Sequence, residues 1–438
     1  MRLYTRSTSI ALLAATASLS AAQQRPPIRQ LGAVTARSVE SLSSVASVRA
    51  LSTRGVLVND PANRRVILLD RELKSFIVVA DSSSATGNAY SGRTGGLIAY
   101  RGDSTLFVDP QSLSMMVIDP AGRIGRVMSV PRSEDAQMLA GAVGGAAFDG
   151  KGALIYRTSP RFQMGGAGPR TAGFVPPQMP DSAAIVRIDL ATRKLDTVTY
   201  IKTPKIRMDV AQEGDRVSMT SQINPLPVVD DWGVLSDGSV AIVRGRDYHV
   251  DVVTPQGVKS SFSKIPFDWQ RLTDEDKVAF IDSVKAARAR MGASAPNLPF
   301  GGVGAAQGSG GGGGGGGPQI MIVTGPPAGS GEGGPQRDAA RTRQAQMTFV
   351  PASELPDYKP AFFAGAVRTD TDGNIWIRTI PTSAIPGGPV YDVVNSKGEI
   401  VERVQIPVGR TLIGFGSGTV YMTARENDKI YLEAATIR

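Results

Sequence analysis

The single histidine of the chain, His249, stands between Asp247 and Asp251. Histidine changes charge near neutrality, and an imidazole beside a carboxylate is the arrangement that general-base chemistry uses. His249 is therefore the candidate catalytic residue. The plainer reading makes it a half-exposed residue of the strand Tyr248 to Val253, since nothing fixes a nucleophilic serine beside it and no Gly-x-Ser-x-Gly elbow stands in a strand-to-helix setting. Composition closes much other chemistry. The chain has no cysteine, which excludes thiolate zinc sites, a cysteine nucleophile and a disulfide frame, and one histidine excludes any site that needs two imidazoles.

A second group of residues is defined by position. Asp60, Asp109, Arg157, Arg244, Arg378 and Thr423 each fall at or just beyond the end of the strand that follows a turn. If the turns are equivalent, these six form a ring on one rim of the fold and constitute the candidate ligand site. Arginine forks recognise carboxylate or phosphate in a bidentate manner. The competing expectation is that the acids and arginines pair with one another or cap turns and so fasten neighbouring elements. Asp60-Pro61 and Asp109-Pro110 are turn chemistry in either case, the aspartate capping and the proline presetting φ.

The elements that would position these residues emerge from an internal repeat. Gly55 to Pro61 leads to Val66 to Asp70, and Ser104 to Pro110 leads to Met116 to Asp119. Each unit is strand, turn, strand, and their spacing suits four-stranded blades. Four more units fit the frame: Asp149 to Arg157 with Ala184 to Asp189, Ser236 to Arg244 with Tyr248 to Val253, Asp372 to Arg378 with Tyr391 to Val404, and Gly416 to Met422 with Lys429 to Leu432. The expected fold is all-β, a six-bladed β-propeller of four-stranded antiparallel blades. A ring of sheets buries each face against a neighbour and leaves short edges. Because the last unit ends near Arg438, residues 34–48 are expected to supply the outer strand that closes the ring.

Residues 268–359 read differently. Thr273-Asp274-Glu275-Asp276 is a helix start, and Val278, Phe280, Ile281, Val284 and Ala287 supply an apolar face. The Gly- and Pro-rich stretch 301–335, with the unbroken run Gly310 to Gly317, lacks the apolar content to order itself. It also lacks the Lys-Ser/Thr pair and strand-to-helix setting of a phosphate loop. This helical and Gly/Pro-rich segment is an insertion between blades four and five. The expected organisation is a signal peptide at 1–22, a ring-closing segment at 23–47, blades one to four at 48–267, the insertion at 268–359, and blades five and six at 360–438.

Units such as Asp237-Gly238-Ser239-Val240 and Asp372-Gly373-Asn374-Ile375-Trp376 resemble the six-bladed propeller superfamily of NHL-repeat, gluconolactonase-like and streptogramin-lyase-like proteins. The resemblance spans residues 48–267 and 360–438. It is specific for architecture and almost silent on chemistry, because this fold hosts hydrolases, lyases and plain binding modules. It implies, as one alternative, a metal-assisted lactone hydrolase, or a lyase using His249. A divalent-metal site of the hydrolase kind would need Glu, Asn and Asp converging on the channel. Asn59 and Asp109 are available, and no matching Glu is found, so no metal residue and no cofactor is assigned.

The N-terminus carries Arg2 and Arg6, the apolar run Ile10 to Ala15, and small residues ending Ser20-Ala21-Ala22. That is the pattern of a secretory signal, too short to span a bilayer. The chain carries a formal charge of +9, with its basic residues dispersed among acids and not gathered in the stripe a nucleic-acid groove needs. The expectation is an exported binding or scaffold propeller, periplasmic or extracellular and monomeric. It would engage a small molecule, peptide, glycan or protein at one rim, with no nucleic acid and no membrane span after signal removal.

Overall fold

A computed structural model describes residues 24–52, 55–83, 90–141, 145–160, 180–213, 216–291, 346–383, 385–427 and 429–437. The expected signal peptide, the glycine run and most of the loop within the third unit lie outside these residues.

Strands dominate. Five sheets follow one another along the chain as up-and-down antiparallel units. The first is formed by Ser47–Leu51, Gly55–Asp60, Arg65–Leu69 and Phe76–Ala80. The second is formed by Gly96–Ala99, Thr105–Asp109, Ser114–Ile118 and Ile124–Ser129. The third comprises Ala147–Phe148, Leu154–Arg157, Ser182–Ile188 and Leu195–Lys202. The fourth comprises Asp231–Val234, Val240–Arg244, His249–Val253 and Lys259–Ser261. The fifth contains Phe362–Thr369, Ile375–Thr379, Val390–Val394 and Ile400–Gln405, with Ile28–Gln30 added in parallel at its outer edge. The sixth joins Arg410–Gly416, Thr419–Glu426 and Lys429–Thr436 to Val34–Arg37, which pairs antiparallel with the last of them.

The hairpins repeat one turn chemistry. Asp119 Oδ1 accepts from the N–H groups of Ala121 and Arg123 at 2.9 Å. Asp149 does the same for Lys151 and Ala153, and Asp370 for Asp372 and Asn374. The fourth residue of each turn, Gly122, Gly152 or Gly373, sits at φ near +80°, a conformation glycine adopts without a steric cost.

Side chains alternate across each strand, so every sheet contributes to two cores. Leu57 and Val66 of the first sheet pack with Phe107 and Met116 of the second, and Leu106 and Val108 of the second with Leu154 and Tyr156 of the third. Ile155 and Ile185 of the third meet Trp232 and Ile242 of the fourth. Ala241 and Val250 of the fourth meet Ile375 and Val367 of the fifth. Trp376 of the fifth meets Val420 and Met422 of the sixth, and Leu432 of the sixth meets Val56 and Val58 of the first. The chain of cores therefore returns to its start, which is the arrangement of a β-propeller. Trp232 and Trp376 are buried in these seams, whereas Trp269 is 39% exposed.

The sequence frame treats residues 199–230 as a connecting loop and 268–359 as separate from it. Instead, Ile206–Glu213 and Arg216–Ile223 form an antiparallel pair, and Gln346–Phe349 joins in parallel beside the second. Seven sheets are thus present among the described residues. This pair escapes the frame because it has no glycine-turn signature and because its third strand comes from a remote part of the chain. The helix Asp274–Met291 has the expected start, a reciprocal capping box between Thr273 and Asp276. Its packed face is Lys277, Ile281 and Val284, while Val278 of the expected apolar face is exposed. The cause is local: Lys277 reaches Asp357 at 2.7 Å, and Ile281 packs with Leu226, Val350, Leu355, Phe363 and Ile380.

Candidate functional site

In each sheet the start of the first strand lies opposite the end of the second, as Ser47 lies opposite Asn59, Gly96 opposite Val108 and Asp231 opposite Val243. Antiparallel order then puts every connection between sheets at that same end. The opposite end carries short hairpins. Among the described residues, the end with the connections holds 203–213, 216–230, 262–291 and 346–361, and both ends of the connection within the third sheet, 158–160 and 180–181. This is the loaded end of the fold.

The six candidate ligand residues all approach that end but face different seams. Asp60 alternates with Val56 and Val58 and so turns toward the sixth sheet. It accepts from the backbone N–H of Ser44 and from Asn63, and pairs with Arg65. Asp109 alternates with Phe107 toward the first sheet and accepts from the Ser91 and Gln111 N–H groups. Arg378 alternates with Trp376 toward the sixth sheet, and Thr423 lies within its strand opposite Thr411 and Leu432. Thr423, on the face of Leu432, shares the seam of the sixth and first sheets with Asp60, and Arg157 and Arg244 share another. Arg157 alternates with Ile155, Arg244 with Ile242, and both face the junction of the third and fourth sheets.

His249 is the Cα partner of Arg244 across the fourth sheet, and Asp251 is the partner of Ile242, so all three side chains emerge on the same face. Arg244 is held from two sides, its Nη1 at 2.8 Å from Asp230 Oδ2 and its Nε at 2.7 Å from Asp251 Oδ2. It also donates to the carbonyl of Tyr200 in the third sheet at 3.2 Å. His249 stands with Nδ1 at 2.7 Å from Asp247 and Nε2 at 3.2 Å from Asp251. Both ring nitrogens therefore face carboxylate oxygens. Burial alone would raise the Asp251 carboxyl, and the Ser261 hydroxyl, Arg244 and His249 together outweigh burial and hold it below its ordinary value. For Arg244, burial works against the cation and its two carboxylate partners more than offset it.

This network borders a cleft of about 680 Å³ between the third and fourth sheets. Lys202, Arg246 and Lys259 also line it, all three exposed and without an ion-pair partner among the described residues. Toward the centre of the fold the same seam holds Arg157, while Asp231, opposite Val243 on the other face of the fourth sheet, turns toward the fifth sheet and lies near enough to act on Arg157 electrostatically. Asp231 is buried, with one oxygen accepting from its neighbour Trp232 and the other from Val367 N–H of the fifth sheet, each at 2.9 Å. Burial pushes its carboxyl up to about 6, against the pull of those two N–H groups and of Arg368 and Arg157. Burial likewise lowers the Arg157 guanidinium to about 10, with Asp231 acting in the opposite sense. Among the described residues no three His, Asp or Glu side chains come together as a metal site.

The raised Asp231 carboxyl has a sign that can be measured. The folded state takes up this proton more readily than the unfolded chain, so the group favours folding when protonated and withdraws stability as pH rises from about 4 to about 6. The melting temperature of the wild type, relative to that of Asp231→Asn, is expected to fall across that window. A flat difference between the two curves contradicts the assignment.

Sequence reasoning did not find Asp230, Asp231, Lys202, Arg246 or Lys259. The adjacent pair Asp230-Asp231 before an apolar strand was the available signal, because strand starts and strand ends share the loaded end.

No family model matches this chain, and no curated protein matches it. Its sheets define the class, a β-propeller. Among solved structures it resembles a gluconolactonase from Xanthomonas campestris at 10% identity and a TM-score of 0.38, covering 95% of this chain and 99% of that one. It also resembles virginiamycin B lyase from Staphylococcus aureus, with 11% identity, a TM-score of 0.37, and coverage of 90% and 96%. A third is regucalcin, a calcium-binding protein from Agrobacterium tumefaciens, with 10% identity, a TM-score of 0.39, and coverage of 93% and 97%. These are structures of the propeller-type superfamily, and none of them transfers a residue role to this chain. Among the described residues no helix is long and apolar enough to cross a membrane.

Proposed function

We propose that the chain is an exported, six-bladed β-propeller that acts as a binding module for an acidic ligand, taken at the loaded end between the third and fourth sheets. In this reading the six sheets of the closed cycle are blades, residues 268–359 are an insertion between the fourth and fifth, and residues 1–22 direct export. The observation that carries the reading is the cleft itself. Its wall is a fixed network, Arg244 with Asp230 and Asp251, and its mouth presents Lys202, Arg246 and Lys259 with no partner among the described residues. A preorganised polar wall beside unmatched cations suits a ligand with several carboxylates, such as an acidic peptide.

The test is fluorescence polarisation of a labelled hexaglutamate peptide at low ionic strength. The triple variant Lys202→Glu, Arg246→Glu, Lys259→Glu is expected to bind at least about tenfold more weakly than wild type, since three rim charges each contribute up to about 1 kcal/mol. Equal binding by both proteins, or none by the wild type, refutes the acidic-ligand reading. Turnover of a lactone that is lost in His249→Ala would replace binding by catalysis as the function of this face.

A further inference from the structure

Arg157 is only 8% exposed, and its Nε is buried with no hydrogen-bond partner among the described residues. No described acid forms an ion pair with it. Asp231 lies near enough to act on it electrostatically, but both Asp231 oxygens are already engaged by the backbone of Trp232 and Val367. In the same seam Trp232, 1% exposed, has its indole N–H buried and also without a partner. Two unmet donors are thus enclosed between the third and fourth sheets, one of them on a cation with no ion-pair partner among the described residues. Leaving such groups unpaired in a protein interior is strongly unfavourable, and an acceptor that meets them recovers much of that cost.

We propose that Arg157 is the anchor of a carboxylate site at the inner end of this seam. The proposal rests on the binding reading above and deepens it: one carboxylate of the acidic ligand leaves the cleft and enters the seam. The route is short in register, because the cleft is lined by Ile242, the direct cross-strand partner of Trp232. A guanidinium fork matches the planar, two-oxygen face of a carboxylate. The neighbouring Asp231 selects among anions. Its own negative charge tolerates one more charge beside Arg157 better than the two of a phosphate dianion.

Succinate and inorganic phosphate serve as probes, read by thermal shift and calorimetry on wild type, Arg157→Met and Arg157→Lys. Succinate is expected to raise the melting temperature of the wild type and phosphate to leave it unchanged. Arg157→Met, which removes the unpaired cation while keeping an apolar stem, is expected to melt higher than wild type without ligand and to lose the succinate response. Arg157→Lys keeps the charge without the fork and is expected to bind succinate at least tenfold more weakly. A lower melting temperature for Arg157→Met identifies the arginine as a structural pin and overturns the site. An undiminished succinate response in either variant, or an equal response to phosphate, also overturns it. Hexaglutamate separates the two levels of argument. Affinity lost in the triple cleft variant but kept in Arg157→Met leaves the cleft reading standing and removes the anchor, whereas affinity kept in both removes both.

Discussion

A chain that begins at Ser47, without the two N-terminal strands, is expected to lose the cooperative thermal unfolding of the full protein. Val34–Arg37 is the outermost strand of the sixth sheet, with Val34 opposite Ala435 and Arg37 opposite Glu433. Ser38 then ties to Leu432 in both directions, its N–H donating to the Leu432 carbonyl at 2.8 Å and its hydroxyl accepting from the Leu432 N–H at 3.0 Å. Arg37 pairs with Glu426 at 2.6 Å and lies 4.3 Å over the Tyr431 ring. Leu42 and Val45, 2% and 5% exposed, enter the core between the sixth and first sheets. Each such side chain contributes about 1.5–3 kcal/mol when fully buried. Against a total stability of about 5–15 kcal/mol, losing both together with a sheet edge removes a large share. Circular dichroism melts and protease resistance of the truncated chain provide the measurement. A second truncation that begins at Leu31 is the control. It removes only Ile28–Gln30 from the fifth sheet, with Arg29–Glu402 and Arg25–Asp268, and is expected to melt cooperatively at a modestly lower temperature. If the chain starting at Ser47 melts like the full protein, the ring does not depend on its closing strand.

Phe107→Ala is expected to destabilise the protein by about 3–5 kcal/mol, the usual cost of emptying a large aromatic site in a close-packed core. Phe107 is 0% exposed between the first and second sheets. Its ring meets Tyr90 edge to face at 4.7 Å. Tyr90 in turn donates to Asn59 Oδ1 at 2.9 Å, and Asn59 donates to the Gly95 carbonyl at 2.7 Å. Little in this seam can move inward to fill the space. A Cβ built on Gly95 would already lie 2.7 Å from the Phe107 ring. The midpoint of urea unfolding is expected to fall with an unchanged slope. A shift of less than about 1 kcal/mol would mean that the first and second sheets repack freely, contrary to the density expected of such a core.

The strand-turn-strand units were legible because their information is local. Asp119, Asp149 and Asp370 each satisfy backbone N–H groups two and four residues ahead. A glycine at the position that demands positive φ completes the signal, and no distant residue is needed to write it. Asp251 shows where that logic stops. Asp70, Asp119 and Asp189 each directly follow a strand and accept backbone N–H groups of the next turn, whereas Asp251 lies inside its strand and binds Arg244.

The additional sheet was not legible for the complementary reason. Arg216–Ile223 finds its third partner in Gln346–Phe349, and no short-range pattern links those segments. The candidate site divides in the same way. That Asp60, Asp109, Arg157 and Arg244 stand at strand ends is written in the spacing of the repeat. Which seam each one faces depends on the phase of alternation within its strand and on the order in which the sheets pack, and a shift of one residue sends a side chain to the opposite neighbour.

The sequence by itself thus determined the strand content, the repeating turns and the shared end at which the charged residues gather, all consequences of backbone preference and period-two patterning. Tertiary structure decided that Arg157 and Arg244 meet at one seam while Asp60 and Asp109 go elsewhere, that Asp230 joins Arg244 while Asp231 turns toward the fifth sheet, and that Arg157 is left without a partner among the described residues. The physical reason is that pairing, burial and desolvation belong to surfaces brought together from separate sheets. They arise only when the sheets pack against one another.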